Sequence, residues 1–277
     1  MNNIEKVQAA IDYIEDHLTE KLDLDVIAGA VHYSKYHLHR VFSKTVGLTL
    51  HEYRNRRQLT EAAKLLVFSE RTILDIALQA GYESQQAFTA AFSAMYKQSP
   101  SQYRENEKFY PLQLRFQFEG SYNMRNSWKI TYADEGDIPC WMALVHLVID
   151  GFPHLYEEEY VGELKRRIRK RQALILKDGE VAVGAMLFSG ETGSIDFMGT
   201  HPLYRSQGIP RAFLDKMMSE LHKGREISIT TYREGDKADT GHRQAIMELG
   251  FAEAELLVEF GYPTQRFVLT GEGSNES

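Results

Sequence analysis

Cysteine is nearly absent: Cys140 is the single one in 277 residues. No intrachain disulfide framework can hold the fold, and the lone thiol suits a reducing compartment. Long apolar runs are missing as well. No stretch approaches the roughly 18 consecutive apolar residues that a membrane-spanning helix needs. Residues 1–10 carry Glu5 and Lys6 rather than a secretory apolar segment. A soluble, cytoplasmic protein with no membrane partner is therefore expected. An excess of positive charge is lacking too, since the formal net charge is -7. That balance does not suggest a nucleic-acid binder, yet binding depends on where the cations sit rather than on their sum. The first hundred residues are close to charge-balanced and hold five of the ten histidines, so much of the acidity lies further on.

What is present is an ordinary mixture, 43% hydrophobic and 26% charged, with length and apolar material for two cores. Over residues 4–103 the apolar positions recur with helical spacing. Ile11, Ile14 and Leu18 mark one helix, Val26, Ile27 and Ala30 a second, and Leu38, Val41 and Phe42 a third. A longer helix is expected over 50–68, with Ala62, Leu65 and Leu66 inward, then short helices over 73–80 and 84–95. Ser34 and Ser84 stand where N-caps belong.

The character changes between 105 and 128. Pro111 opens Leu112-Gln113-Leu114-Arg115-Phe116-Gln117-Phe118, an alternating strand-like run free to pair with either domain, and Gly120, Ser121, Asn123 and Asn126 follow. A domain boundary belongs here. Beyond 128, strand-like segments at 173–177, 181–188, 194–200, 227–231 and 265–269 mix with helical ones at 139–148, 156–171, 210–222 and 240–249. Asp178-Gly179 reads as a hairpin turn. The expected architecture is multidomain: an all-α domain over 1–108, a linker over 109–127, an α+β domain over 128–270 and a disordered tail over 271–277. The sheet is expected to be mixed and mostly antiparallel.

Two segments of the first half share one layout, a short apolar helix, a tight turn and a second short helix. Residues 24–30 lead through Val31-His32-Tyr33 into 34–44. Residues 73–80 lead through Gly81-Tyr82-Glu83 into 84–96. Such a pair presents its second helix to the major groove of double-stranded DNA. Gly81 suits a left-handed turn, and His32 belongs to the residue types that tolerate one.

Residues 4–104 resemble the DNA-binding domain of the AraC/XylS family, and most of all its multiple-antibiotic-resistance activator branch. The matching text includes Ser34-Lys35-Tyr36-His37-Leu38-His39-Arg40-Val41-Phe42, Gly81-Tyr82-Glu83-Ser84-Gln85-Gln86 and Ser99-Pro100-Ser101-Gln102-Tyr103-Arg104. The resemblance implies a double helix-turn-helix domain. Its two recognition helices would lie in adjacent major grooves, joined by the long helix, and one molecule would read an asymmetric site. It assigns base contact to Tyr36, His39 and Arg40 in the first unit and to Gln85 and Gln86 in the second. The chemistry agrees, because Arg forks onto guanine and Gln onto adenine. Where that branch carries a base-reading arginine this chain has Ala90, so the second unit should discriminate less sharply. RNA polymerase is an implied partner. Leu38, Phe42, Phe88 and Phe92 sit at core spacings. His37 and His39 are two apart on a helix and point different ways, so no metal site is expected.

In the second half, Ser194-Ile195-Asp196-Phe197-Met198-Gly199-Thr200-His201-Pro202-Leu203-Tyr204-Arg205-Ser206-Gln207-Gly208-Ile209-Pro210 runs from strand through an Arg-x-x-Gly loop into a helix. Loop amides at a helix N-terminus suit a pyrophosphate. The segment looks like the acetyl-CoA-binding motif of the GCN5-related N-acetyltransferase (GNAT) superfamily, a resemblance that extends over about 128–269. It implies acetyl-CoA as cofactor, held by Met198, Gly199, Thr200, Arg205, Ser206, Gln207, Gly208 and Ile209. Two departures bear on activity. Pro210 offers no N–H where the family has Gly or Ala. Ile246 stands where the family's thiolate-protonating tyrosine is expected.

Were the domain catalytic, a base must take the proton of the attacking ammonium. Asp196 and Glu191 are the nearest carboxylates, and Tyr232 or Tyr262 would stand in for the missing acid. The run 165–171 (Lys-Arg-Arg-Ile-Arg-Lys-Arg) and the acids 157–159 read as solvated helix surface. Three readings follow for the whole chain. The second domain binds acetyl-CoA or a small-molecule effector and biases DNA affinity. Or it is a working acetyltransferase for a small amine. Or it is an inactive fold used for dimerisation or polymerase contact.

Overall fold

Apolar spacing near 3.6 residues becomes helix throughout the first part of the computed structural model, which describes residues 3–20, 22–118, 129–149, 157–205, 207–220 and 226–269. Two units partition the chain, Met1–Glu119 with Ile149–His154 and Gly120–Val148 with Leu155–Ser277. Expectations for the tail 271–277 and for the stretch 119–127 lie outside the described residues. Among the described residues no helix is long and apolar enough to cross a membrane.

The first unit comprises α1 (Asn3–Asp16), α2 (Leu24–Ala30), α3 (Lys35–Val46), α4 (Leu50–Phe68), α5 (Ile73–Gln79), α6 (Gln85–Tyr96) and α7 (Pro100–Glu105). Each helix from α2 to α7 begins with a capping side chain: Asp23, Ser34, Thr49, Thr72, Ser84 and Ser99 each accept an N–H three residues on. Such a cap contributes about 1 kcal/mol. Thr49 with Glu52 and Ser99 with Gln102 close full capping boxes.

These matched caps expose an internal duplication. Ile27, Ala28 and Tyr33 correspond to Ile76, Ala77 and Tyr82, while Leu38, Phe42, Val46 and Tyr53 correspond to Phe88, Phe92, Tyr96 and Tyr103. Except for the two turn tyrosines, every one of these side chains is buried. α3 and α6 both end in a left-handed residue, Gly47 at φ 81° and Lys97 at φ 59°. In the second repeat the apolar seam is aromatic: Phe92 stacks on Tyr96 at 4.3 Å and meets Tyr103 edge-on at 5.2 Å. α4 serves both repeats, closing the first and opening the second.

The run 112–118, expected as a strand, forms none. Its backbone groups are taken by helix side chains instead of a neighbouring strand. Arg56 donates to Leu112 O at 3.1 Å and Arg57 to Gln113 O at 3.0 Å. The Thr60 hydroxyl accepts from the N–H groups of Leu112 and Gln113, and Gln8 bonds Phe116 O and Phe118 N. Residues 110–118 thus lie as an extended strap on α4 and α1, with Leu112 and Phe116 buried, rather than as the start of a linker. The strap covers a buried ion pair. Glu15 of α1 accepts from Arg57 Nε and Nη2, both at 2.8 Å, and from Tyr53 Oη at 2.6 Å. Burial alone would lower the Arg57 pKa, but the bond to Glu15 and its charge carry it above the ordinary value.

The second unit is a seven-stranded sheet in the order β1-β2-β3-β4-β5-β7-β6. Its strands are β1 (Thr131–Tyr132), β2 (Ala173–Asp178), β3 (Val181–Phe188), β4 (Ser194–Thr200), β5 (Ile227–Tyr232), β6 (Ala252–Glu259) and β7 (Tyr262–Leu269). Helices α8 (Ile138–Val148), α9 (Glu157–Arg169), α10 (Ile209–Glu220) and α11 (His242–Glu248) complete it. All pairings are antiparallel except β4 with β5. The expected mixed, mostly antiparallel sheet is therefore the one found. The Asp178-Gly179 turn joins β2 to β3 as expected, with Gly179 at φ 64°.

Three strands differ from expectation. β1, only two residues long, gives too short a stretch for alternation to register and forms by pairing with β2. β6 has the sequence AEAELLVE, rich in helix formers, and becomes a strand because β7 pairs with it. β7 begins three residues earlier than expected, with Pro263 inside it. Its last pair with β5 is Tyr232 with Thr264, so Pro263 lies past the end of β5 and its missing N–H costs no bond there.

Gly184 sets how α10 meets the sheet. A Cβ at this position would lie 2.6 Å from Phe213 Cε2 and 2.8 Å from Ile209 Cγ2, so only glycine permits the approach. Gly199 pairs with Ala185 and so looks to the opposite face, where its own Cβ would lie 3.0 Å from Val148 Cγ2. α10 and the end of α8 thus cover the two faces.

Replacing Glu15 by Ala should cost the first unit about 3–5 kcal/mol, because it strands the Arg57 charge beneath the strap. Urea unfolding followed by helical circular dichroism measures it. A loss under about 1 kcal/mol would mean that Arg57 behaves as an exposed pair member.

Candidate functional site

In each repeat the turn between the paired helices follows one hydrogen-bonding scheme. His32 N–H donates to Gly29 O and Tyr33 N–H to Ala28 O, while Gly81 N–H donates to Leu78 O and Tyr82 N–H to Ala77 O. His32 sits at φ 56° and Gly81 at φ 84°, the left-handed conformation that their residue types anticipate. Leu38, Phe42 and Val46 turn one face of α3 into the core, and Phe88, Phe92 and Tyr96 do the same for α6. The opposite faces are presented to solvent. On α3 they carry Tyr36 (81% exposed), His39 and Arg40, one turn apart and adjacent. On α6 they carry Gln85, Gln86 and Ala90, all exposed. The five residues expected to read bases therefore all lie on the exposed faces of the two second helices.

Sequence reading missed a support beneath Arg40. Its Nη2 lies 3.5 Å from His37 Nδ1, the His37 ring sits 4.7 Å from that of Tyr33, and the Lys6 ammonium lies 3.9 Å from the Tyr33 ring centroid. Spacing of three on a helix brings His37 beside Arg40, but the Tyr33 and Lys6 contacts join separate elements and carry no local signal. A short polar stack of His37, Tyr33 and Lys6 thus lies against the Arg40 guanidinium.

In the second unit, the described residues of 194–210 run from β4 through the loop into α10. β4 and β5 pair through only Ser194 with Ser228 and Ile195 with Ile229. Beyond that, 197–200 pairs with β3 alone and 230–232 with β7 alone, so the sheet opens between β4 and β5. His201 N–H donates to Val183 O. By alternation along an antiparallel ladder, Phe197 and Gly199 direct their backbone groups at β3, and Met198 and Thr200 direct theirs into the opening.

Past β4, a short 3-10 turn (Pro202–Tyr204) leads to the loop. Tyr204, fully buried, donates from its hydroxyl to Asp178 Oδ2 at 2.5 Å and so pins the loop to the β2–β3 hairpin. Gly208 has φ 72° with open space around it, and its carbonyl accepts the Ala212 N–H at 3.0 Å, which starts α10. Ile209 is buried against the sheet, and Gln207 is exposed. Arg205 retains accessible surface, although protein crowded around its guanidinium lowers its pKa by burial; arginine stays protonated regardless. Ser206 lies outside the described residues.

The carboxylates expected as bases lie in ion pairs with α9 and the residue that follows it. Arg167 Nη2 donates to Asp196 Oδ2 at 2.5 Å, and Ser194 Oγ donates to Oδ1 of the same side chain at 2.8 Å. Lys170 Nζ lies 3.0 Å from Glu191 Oε1, and that lysine holds the Glu191 carboxyl below its ordinary range. Neither carboxylate is placed as a free base, and part of the basic run 165–171 is spent on internal pairs rather than solvated. Tyr232 and Tyr262 do come together, with rings 5.9 Å apart, and Tyr262 Oη donates to Asp236 at 3.0 Å. Ile246 points into the core, which accounts for an aliphatic residue there.

Two recognition-type helices on a shared scaffold define the class: a DNA-binding protein with tandem helix-turn-helix units. A family model described as a helix-turn-helix domain matches residues 27–106. The regulatory protein SoxS of Salmonella typhimurium is 39% identical over 104 residues, 38% of this chain and 97% of SoxS. The HTH-type transcriptional regulator YbfP of Bacillus subtilis is 42% identical over 98 residues, 35% of this chain; the chain spans only 33% of the length of YbfP. The chain belongs to the AraC-type helix-turn-helix family of transcriptional regulators. Among solved structures, an acetyltransferase of the GNAT family from Bacillus cereus is similar over 52% of this chain and 98% of its own, with 14% identity and a TM-score of 0.42.

His201 makes the loop sensitive to acid. Its Nδ1 accepts the Leu203 N–H at 3.2 Å, and burial, helped by the Arg205 charge, pushes its pKa down to about 4. The folded form therefore prefers neutral imidazole. Above about pH 6.5 both states are neutral. Between about 6.5 and 4 only the unfolded chain takes the proton, so stability falls by roughly 3 kcal/mol across that window. His201→Asn keeps an acceptor for Leu203 and should flatten that part of the pH dependence of second-unit unfolding. An unaltered slope would assign the acid sensitivity elsewhere.

Proposed function

We propose that this regulator reads DNA with α3 and α6 in adjacent major grooves, and that its second unit binds acetyl-CoA or a related small-molecule effector that biases that binding. The first part rests on one observation: the duplicated units expose Tyr36, His39, Arg40, Gln85 and Gln86 on equivalent faces of two second helices. Arg40 suits the O6 and N7 acceptors of guanine, and the glutamines suit adenine. Ala90 offers α6 no long donor, so the second half-site carries less of the discrimination.

Acetyl-CoA fits the second unit on three features. The Met198 and Thr200 backbone groups face an opening with no strand to satisfy them, as an extended pantetheine arm requires. Gly208, at φ 72° with free space around it, opens a helix N-terminus whose amides suit a pyrophosphate. Arg205 adds a cation at the same loop. Pro210 removes one of the amides, which weakens but does not abolish the cradle. When bound, the cofactor supplies an acetyl thioester. On the protein's side, the ion-paired Asp196 and Glu191 and the buried aliphatic Ile246 leave proton transfer to Tyr232, Tyr262 or water. That arrangement favours ligand sensing over fast acetyl transfer to an amine; an inactive fold for dimerisation or polymerase contact is the remaining reading.

Arg40→Ala should weaken binding to a selected operator by ~1–3 kcal/mol and relax discrimination at one base position. Equal losses on operator and scrambled duplex would remove Arg40 from base readout. Acetyl-CoA titrated calorimetrically into the full chain should give heat that Gly208→Glu eliminates, since the added carboxylate meets the pyrophosphate, while Gly208→Ala, which brings the same left-handed strain without the charge, should keep most of it. Absence of heat with the unaltered protein would favour the inactive-fold reading.

A further inference from the structure

Two side chains of α4 stand between the repeats. Arg54 donates from Nη2 to Glu20 O at 2.8 Å and from Nη1 to Leu22 O at 3.2 Å, and Gln58 Nε2 donates to Leu18 O at 2.6 Å. Those three carbonyls belong to the loop that delivers the chain into α2 and hence α3. The same two side chains also face the turn of the second repeat. A Cβ on Gly81 would lie 3.2 Å from Gln58 Nε2 and 3.9 Å from Arg54 Nη2. The next residue, Tyr82, feels the Arg54 charge and packs edge-on against Phe88 of α6 at 5.4 Å. A continuous path of contacts therefore runs from the approach to α3, through Arg54 and Gln58, to α6.

The duplication supplies an internal control. Arg104 occupies in α7 the place of Arg54 in α4, and it ties the last turn of α4 to the lead-in to α5, donating to Leu66 O at 3.1 Å and Arg71 O at 2.7 Å. Among the described residues no third helix-turn-helix repeat follows it, so Arg104 steadies one unit whereas Arg54 touches both.

We propose that Arg54 and Gln58 are positioning residues that fix the phase between α3 and α6, and thereby the half-site spacing this protein accepts on DNA. This rests on the reading that both helices enter the major groove. α4 packs into the core of the second repeat through Leu59, Ala62, Ala63 and Leu66 and meets the first through Tyr53 against Phe42, whereas Arg54 and Gln58 each face both the lead-in loop of the first repeat and the turn of the second. One base pair of extra spacing moves a half-site by about 3.4 Å and about 35°, more than a rigidly phased pair tolerates.

The test uses the full chain and duplexes carrying the two half-sites recovered from a random library, with the spacer kept, lengthened or shortened by one base pair. Affinities are read by fluorescence anisotropy. The unaltered protein should lose about tenfold or more on either spacer change. The double variant Arg54→Ala with Gln58→Met should compress that preference to about twofold, while Arg104→Ala keeps the original ratio. Should the double variant fail to fold, Gln58→Met alone, which keeps the shape but removes the donor, should show a partial compression. An unchanged ratio in folded variants overturns the proposal, and so does equal compression by Arg104→Ala. Spacer indifference of the unaltered protein also overturns it. If Gln85→Ala then still weakens binding, contact by both helices survives; if not, that reading falls with it.

Discussion

The buried pair of Glu15 and Arg57 is the constraint on which the DNA-binding unit depends. It joins α1 to α4, takes the Tyr53 hydroxyl as a third member, and through Arg57 holds the strap at Gln113. An ion pair removed from water contributes little net stability, but it penalises every arrangement in which one partner is left alone. α1 cannot slide along α4, nor the strap lift, without stranding a charge. Because α4 closes one helix-turn-helix unit and opens the other, fixing its surroundings fixes the platform for both.

The unit contains two similar helix-turn-helix repeats whose exposed faces differ. The caps, the left-handed turns and the buried faces agree position by position, since those features make the motif fold. The exposed faces do not agree. α3 offers an aromatic ring, an imidazole and a guanidinium, the last beside His37, whereas α6 offers two amides and the small Ala90.

In the second unit the decisive feature is an interruption. β4 and β5 share two residue pairs and then part, leaving one edge of each strand turned toward an opening within the sheet. Gly184 and Gly199 let the covering layers close in on either side, and Tyr204 ties the following loop to a distant hairpin. The loop geometry comes from these long-range contacts as much as from its own residues.

Local order was legible in the sequence. Helical spacing located α2 to α6, alternation and turn chemistry located β2 to β4, and the Ser caps and Gly81 placed the motifs that carry DNA binding. Each of these depends on residues within one turn or one hairpin, whose interactions are set by the chain's own periodicity. Tertiary structure decided the rest. A segment that reads as a strand became a strap because α4 offered it arginines and a threonine, and a segment of helix formers became β6 because β7 offered it a ladder. Asp196 and Glu191 became ion-pair partners because Arg167 and Lys170 fold over them. Which neighbours arrive from elsewhere in the chain determines whether a polar group is a ligand, a base or a strut, and no local pattern encodes that.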